Sequence, residues 1–204
     1  ILTSNALLKK GVVLDRLLQN VIVDKKVKPD SLLVGDRNAI LVATRISGYG
    51  ESYDVKMNCP TCFSVADHSF NLSDLNVQRA ENLEEKGATL SQDNTFLINL
   101  PKTGVQVGLN LLTGADEKAL GQLAQNRKKH NLPESSLTDQ FKKIIATVNG
   151  SDSRPHINEL IDNMPAADSR YLRNLYLKII PNVDLKQEYE CESCGAFEEV
   201  MIPF

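Results

Sequence analysis

Between positions 4 and 23 apolar residues recur at Leu7, Leu8, Val12, Val13, Leu14, Leu17, Leu18, Val21 and Ile22, partly at helical spacing. Gly11 interrupts the pattern, and the β-branched Val21-Ile22-Val23 leaves a short strand open as the alternative. Asp36 then caps a predicted helix from about Arg37 to Ser47, with Ala39, Ala43 and Ile46 on one face and Gly48 and Gly50 as its stop. Tyr53-Asp54-Val55-Lys56-Met57 alternates with period two and predicts a strand, which Phe63, Val65 and Phe70 answer with a returning extended segment. Positions 73 to 92 are polar and read as a linker or a frayed helix. Two alternating runs, Thr95 to Leu100 and Val105 to Leu111, flank Pro101-Lys102-Thr103-Gly104 and predict a β-hairpin.

A helical block follows. Thr113 caps a helix with Asp116 and Glu117 in its first turn and Leu120, Leu123 and Ala124 as its apolar face. Ser136 and Asp139 start the next, in which Leu137, Phe141, Ile144, Ile145 and Val148 share one face up to Gly150. A short helix starts at Pro155, and a longer one spans about Ala166 to Ile180 before Pro181 stops it. Strand chemistry returns at Gln187 to Glu190 and Ala196 to Ile202.

Composition narrows the classes. Of 204 residues, 42% are apolar and 24% charged, as in ordinary globular proteins. A formal charge of −3 gives no general attraction to nucleic acid or anionic lipid. The longest apolar run, at positions 39 to 43, is far short of the roughly 20 residues of a membrane span. No secretory signal pattern is expected from Ile1-Leu2-Thr3-Ser4-Asn5. With no Trp and three His, catalytic bases and stacking platforms are scarce.

The distinctive chemistry lies in four cysteines. Cys59-Pro60-Thr61-Cys62 and Cys191-Glu192-Ser193-Cys194 each sit between two strand signals, and Gly195 supplies a left-handed turn after the second. Two such knuckles offer four thiolates, the donor set of tetrahedral zinc. The gap between Cys62 and Cys191 is 128 residues, against roughly 15 to 20 in a compact site. The reading is a zinc ribbon split by an insertion. A structural zinc contributes on the order of 10–16 kcal/mol in small peptides, whereas loop closure costs only about 0.6 kcal/mol more per doubling of length. Two disulfides are the weaker alternative, since no export signal accompanies them. A redox dithiol lacks its βαβ context, and four thiolates close the coordination position that a catalytic zinc keeps open. Iron would suit the same donors.

Other candidates carry less. Arg127-Lys128-Lys129-His130 falls at a helix C-terminus, where cations complement the dipole. His68 is a spare zinc donor that four cysteines make redundant. His156, near Asp152 and Glu159, has no nucleophile placed beside it. Asp168, Arg170 and Arg173 read as the polar face of a helix.

The order of these features resembles the baseplate hub protein family of T-even-type contractile-tailed phages. The resemblance is carried by Gly35-Asp36-Arg37, Arg45, Tyr49-Gly50, Tyr53 and the first CxxC, followed by Leu100-Pro101-Lys102-Thr103-Gly104 and Leu111-Leu112-Thr113-Gly114. Met164-Pro165-Ala166-Ala167-Asp168-Ser169-Arg170, the second CxxC with Gly195 and Ile202-Pro203-Phe204 complete it. It implies a non-enzymatic structural component of the tail, assembled in the host cytoplasm into the virion with other baseplate subunits as partners. The competing expectations are a hub assembly chaperone absent from mature virions and a zinc-ribbon nucleic-acid-binding module. The fold expected is α+β: an N-terminal segment and helix over 1–50, a split ribbon over 51–72 plus 185–204 with Cys59, Cys62, Cys191 and Cys194 on structural zinc, and an inserted hairpin and helical domain over 73–184. Leu7, Leu8, Leu17 and Leu18 are expected to be covered, by the domain or by a partner.

Overall fold

A computed structural model describes residues 13–203 of the chain. In chain order the helices are α1 (Val13–Val21), α2 (Val34–Tyr49), α3 (Leu83–Lys86), α4 (Gly114–Lys129), α5 (Ser136–Ile144), α6 (Arg154–Asp162) and α7 (Ala166–Ile179). The strands are β1 (Ser52–Asn58), β2 (Val65–Asn71), β3 (Asn76–Gln78), β4 (Thr89–Leu90), β5 (Phe96–Asn99), β6 (Gln106–Leu109), β7 (Ile145–Val148), β8 (Asn182–Asp184), β9 (Lys186–Glu190) and β10 (Phe197–Met201). They form two compact units, one from residues 13–23, 35–78 and 181–203, the other from residues 24–34 and 79–180.

The first unit holds α1, α2 and three two-stranded antiparallel ladders, β1–β2, β3–β8 and β9–β10. Leu18 of α1 is buried, Leu17 is half-buried and Leu14 is 49% exposed, while Leu7 and Leu8 lie outside the described residues. Arg37 of α2 reaches Asp15 of α1 at 2.8 Å. Helix α2 passes through Gly48 and ends at Gly50, whose φ of +86° lets its amide close on the Ile46 carbonyl. Its buried stripe differs from the expected one, because Ala43 is exposed and Val42 is buried. The buried residues of the helix are Arg37 and Val42, and the partly covered Gly35 and Asn38 lie on the same side as Val42 at i, i+3 and i+7. A Cβ at Gly35 would collide with the Pro181 carbonyl oxygen, and Asn38 donates to Asn182 at 3.1 Å. A stripe that begins with glycine and asparagine is invisible to apolar periodicity. The polar stretch at 73–92 yields β3, α3 and β4, and β3 pairs Val77 with Val183 across the chain.

The second unit is a four-stranded antiparallel sheet, order β4–β5–β6–β7, packed with helices. Phe96 and Ile98 of β5 and Val107 and Leu109 of β6 meet Phe141, Ile157, Leu172, Leu175 and Ile179 in one core. Thr113 caps α4 through a reciprocal capping box with Asp116. The face expected for α4 is not a core face, since Leu120 is half-buried and Leu123 and Ala124 are exposed. The helix expected to run from Ser136 to Gly150 stops at Ile144. Ile145 to Val148 instead form β7 against β6, pairing Thr147 with Gly108 and Val148 with Val107. Thr147 fits there because a Cβ at Gly108 would collide with its hydroxyl. Ladder hydrogen bonds and β-branched packing thus override a helical spacing that Ile144, Ile145 and Val148 equally satisfy.

Candidate metal centre

Each CxxC lies between the strands of its own hairpin, and the two knuckles share one backbone plan. The Cys59 amide donates to the Ser64 carbonyl and the Phe63 amide returns to the Cys59 carbonyl, both at 2.9 Å. One hundred and more residues later, Cys191 donates to Ala196 at 2.9 Å and Gly195 to Cys191 at 2.8 Å. The fifth residue of each turn is left-handed, with φ +69° at Gly195 and +59° at Phe63. Glycine adopts that conformation freely, whereas Phe63 is held in it by the turn.

The structure brings the four sulfurs together. All four Sγ atoms lie within 4.8 Å of one another, with Cys59 to Cys194 and Cys62 to Cys191 at 3.8 Å. A disulfide needs an S–S distance of about 2.0 Å, so these contacts are not bonds. Four thiolates about 2.3 Å from a central ion would sit about 3.8 Å apart along a tetrahedral edge, which is the spacing seen. The donor set therefore fits a tetrahedral, thiophilic metal. Cys59 and Cys191 are buried in the first unit's core beside Met57, Phe70, Leu72, Tyr189 and Ile202, while Cys62 and Cys194 are exposed.

The surroundings favour thiolates. The Cys62 amide points at Cys59 Sγ at 3.5 Å, and the Ser64 hydroxyl lies 3.0 Å from Cys62 Sγ and 3.6 Å from Cys191 Sγ. The Ser64 hydroxyl, then the Cys194 amide, lower the Cys191 thiol to about 5. Ser64 also lowers Cys62, first through its side chain and then through its backbone. Cys194 moves the other way: the Ala196 amide favours its thiolate, but sharing a proton with Cys62, together with burial, outweighs that and raises it. A metal bound by these thiols would release whatever protons they still carry. Burial, followed by interaction with Cys191, pushes the Tyr189 phenol up to about 12, keeping it an O–H group beside the sulfurs. Among the described residues it completes no hydrogen bond of full geometry. Ser64 and Tyr189 are two members of the site that sequence reading passes over. Their only sequence signal is position, two residues beyond one CxxC and two before the other.

The remaining candidates are dispersed. His68 packs its ring against Phe70 and Tyr189, with centroids 4.4 and 5.0 Å away, rather than joining the sulfurs. His156, Arg170 and Arg173 are exposed. Arg127 is not a solvated helix end, since it forms a two-pronged contact with Asp139 at 3.1 and 3.3 Å. Asp168 is not on a polar face either. It is fully buried, and its carboxylate accepts from the Lys102 amide at 2.7 Å and from the Thr103 amide and hydroxyl at 3.0 and 2.8 Å.

Residues that mark the family resemblance have local structural work. Arg45 lies over the rings of Tyr49 and Tyr53 at 4.9 and 5.5 Å and donates to the carbonyls of Gly50 and Ser52, fixing the turn from α2 into β1. The Tyr53 hydroxyl holds the tail through the Pro203 carbonyl at 2.9 Å. Comparison with known proteins gives one family: its description is T4 bacteriophage base plate protein, and it matches residues 9–203. No curated protein and no solved structure matches the chain.

Proposed function

The chain belongs to the T4 bacteriophage base plate protein family, and from that membership we propose that it is a non-enzymatic structural subunit of the baseplate hub, clamped by one structural zinc. The ion is held by Cys59, Cys62, Cys191 and Cys194, and the two hairpins that carry them, in residues 51–72 and 185–204, make a split zinc ribbon around an insertion over 73–184. Its partners are other baseplate subunits, and its place is the virion tail, reached by assembly in the host cytoplasm. No described helix is long and apolar enough to cross a membrane.

The observation that carries the metal reading is the gathering of four sulfurs from segments 129 positions apart. Closed four-thiolate coordination favours zinc as a strut over zinc as a catalyst. The nucleic-acid reading has charge against it. Residues 51–72 and 185–204, which make the two hairpins, carry eight Asp and Glu against Lys56 and Lys186. A density map of assembled tails tests the role: the chain is expected in the hub, whereas a chain present in infected extract but missing from tails would make it an assembly factor. Metal analysis of the purified protein is expected to give one zinc per chain; iron would overturn the identity of the ion, and no metal would overturn the clamp.

A further inference from the structure

The two hairpins have similar architecture but different solvent faces. On β1–β2 the outward pairs are Ser52 with Asn71, Asp54 with Ser69, Lys56 with Asp67 and Asn58 with Val65. A lysine opposite an aspartate is what a wetted antiparallel face calls for, and Val65, 63% exposed, stands alone at its end without a carboxylate pair beside it. On β9–β10 the outward pairs are Lys186 with Met201, Glu188 with Glu199 and Glu190 with Phe197. Two carboxylates stand directly opposite each other, an arrangement that destabilises a ladder. Phe197 and Met201, 63% and 65% exposed, flank that pair on the same face. Lys186 relieves part of the repulsion through Glu199 at 3.2 Å, but both side chains are largely in water, where such a pair contributes little.

The geometry points to this face as the docking site for an extended segment of another baseplate protein, bearing an Arg or Lys between two apolar side chains. Phe197 and Met201 are four positions apart on one strand, about 13 Å at roughly 3.3 Å per residue, with Glu199 midway. An extended partner with apolar residues at i and i+4 and a cation at i+2 matches that spacing. Its cation would meet Glu188 and Glu199, and its apolar side chains would cover Phe197 and Met201. The acidic surplus of the two hairpins, eight carboxylates against two lysines within a chain of net charge −3, selects the same partner over long range. The inference rests on the baseplate reading only for where the partner is found, because the face contains no cysteine.

The test uses the purified full chain and a synthetic peptide with Leu, Arg and Leu at alternate positions among serines. NMR titration is expected to perturb Glu188, Phe197, Glu199 and Met201. The paired substitution Glu188→Gln and Glu199→Gln should weaken binding about tenfold while preserving the fold, since it removes a repulsion, and Phe197→Ser should weaken it independently. Asp54→Asn with Asp67→Asn, on the other hairpin, should weaken binding far less, since it removes only long-range attraction and no contact. Equal binding of a peptide with Ser or Glu in place of Arg, perturbations elsewhere, or no binding would overturn the proposal. So would self-association of the chain through Phe197, which would make a second copy the occupant. Because no phage component enters the titration, its failure is separate from absence of the chain from tails.

Discussion

Among the described residues, the core cluster of the second unit contains fifteen buried side chains, all apolar or aromatic, from its strands and helices. That of the first unit contains seven, and two of these are Cys59 and Cys191. The second unit has a continuous four-stranded sheet, whereas the first has three separate two-stranded ladders. An isolated hairpin is at best marginally stable in water, and a small core needs a staple. The candidate metal centre thus lies in the unit with the smaller apolar cluster. A zinc contribution of about 10–16 kcal/mol is comparable with the entire stability of an ordinary domain, about 5–15 kcal/mol.

Chelation, or Cys191→Ser, is the strongest way to break this comparison. Either is expected to expose residues 51–78 and 181–203 to protease together, while residues 79–180 stay resistant, as read by limited proteolysis with mass spectrometry. Independent loss of the two segments, or melting of both units at once, would contradict it. Lowering pH should unfold this unit before the other, because its thiolates must be reprotonated before the metal is lost.

Leu172→Ala is the converse experiment. Leu172 is fully buried in the second core, and its truncation should cost about 2–5 kcal/mol. Denaturant unfolding should show that loss with zinc content unchanged.

A smaller effect sharpens the picture within the second unit. Asp168, in the first turn of α7, holds the Leu100-to-Gly104 turn through three donors, and Asp168→Ala is expected to cost on the order of 1.5–3 kcal/mol. Burial opposes its charge, but the Lys102 amide and the Thr103 hydroxyl and amide outweigh burial and keep the carboxyl below its ordinary value. A depressed folded-state pKa stabilises above the unfolded value, about 3.9, and that stabilisation fades as pH falls through the lower folded value. Wild type should lose stability below about pH 4 more steeply than the Ala variant, measured by urea unfolding at several pH values.

What the sequence disclosed follows from the range of the interactions. Local chemistry was readable: the Thr113 cap, the hairpin around Pro101 to Gly104, the start of α7 after Pro165, and both CxxC knuckles. Non-local chemistry was hidden. Pairing of β3 with β8 joins Val77 to Val183, and neither three-residue strand has a pattern of its own. Ile145 to Val148 could serve a helix or a strand until β6 supplied hydrogen bonds. Asp168 looked solvated because its donors, Lys102 and Thr103, lie on a turn about 65 positions earlier. The cysteines escaped this limit because two matching donor pairs predict a common meeting point whatever the distance between them, and the structure gathers the four sulfurs.

The split between the knuckles also fixes an order of events on the ribosome. At about 5–20 residues per second, the 128 residues between Cys62 and Cys191 take roughly 6–26 s to synthesise. All of the sheet and helices of the second unit emerge in that interval, so this unit can fold while the first thiol pair waits, reduced and without its counterpart. The first unit, whose two hairpins lie on either side of that stretch, closes last.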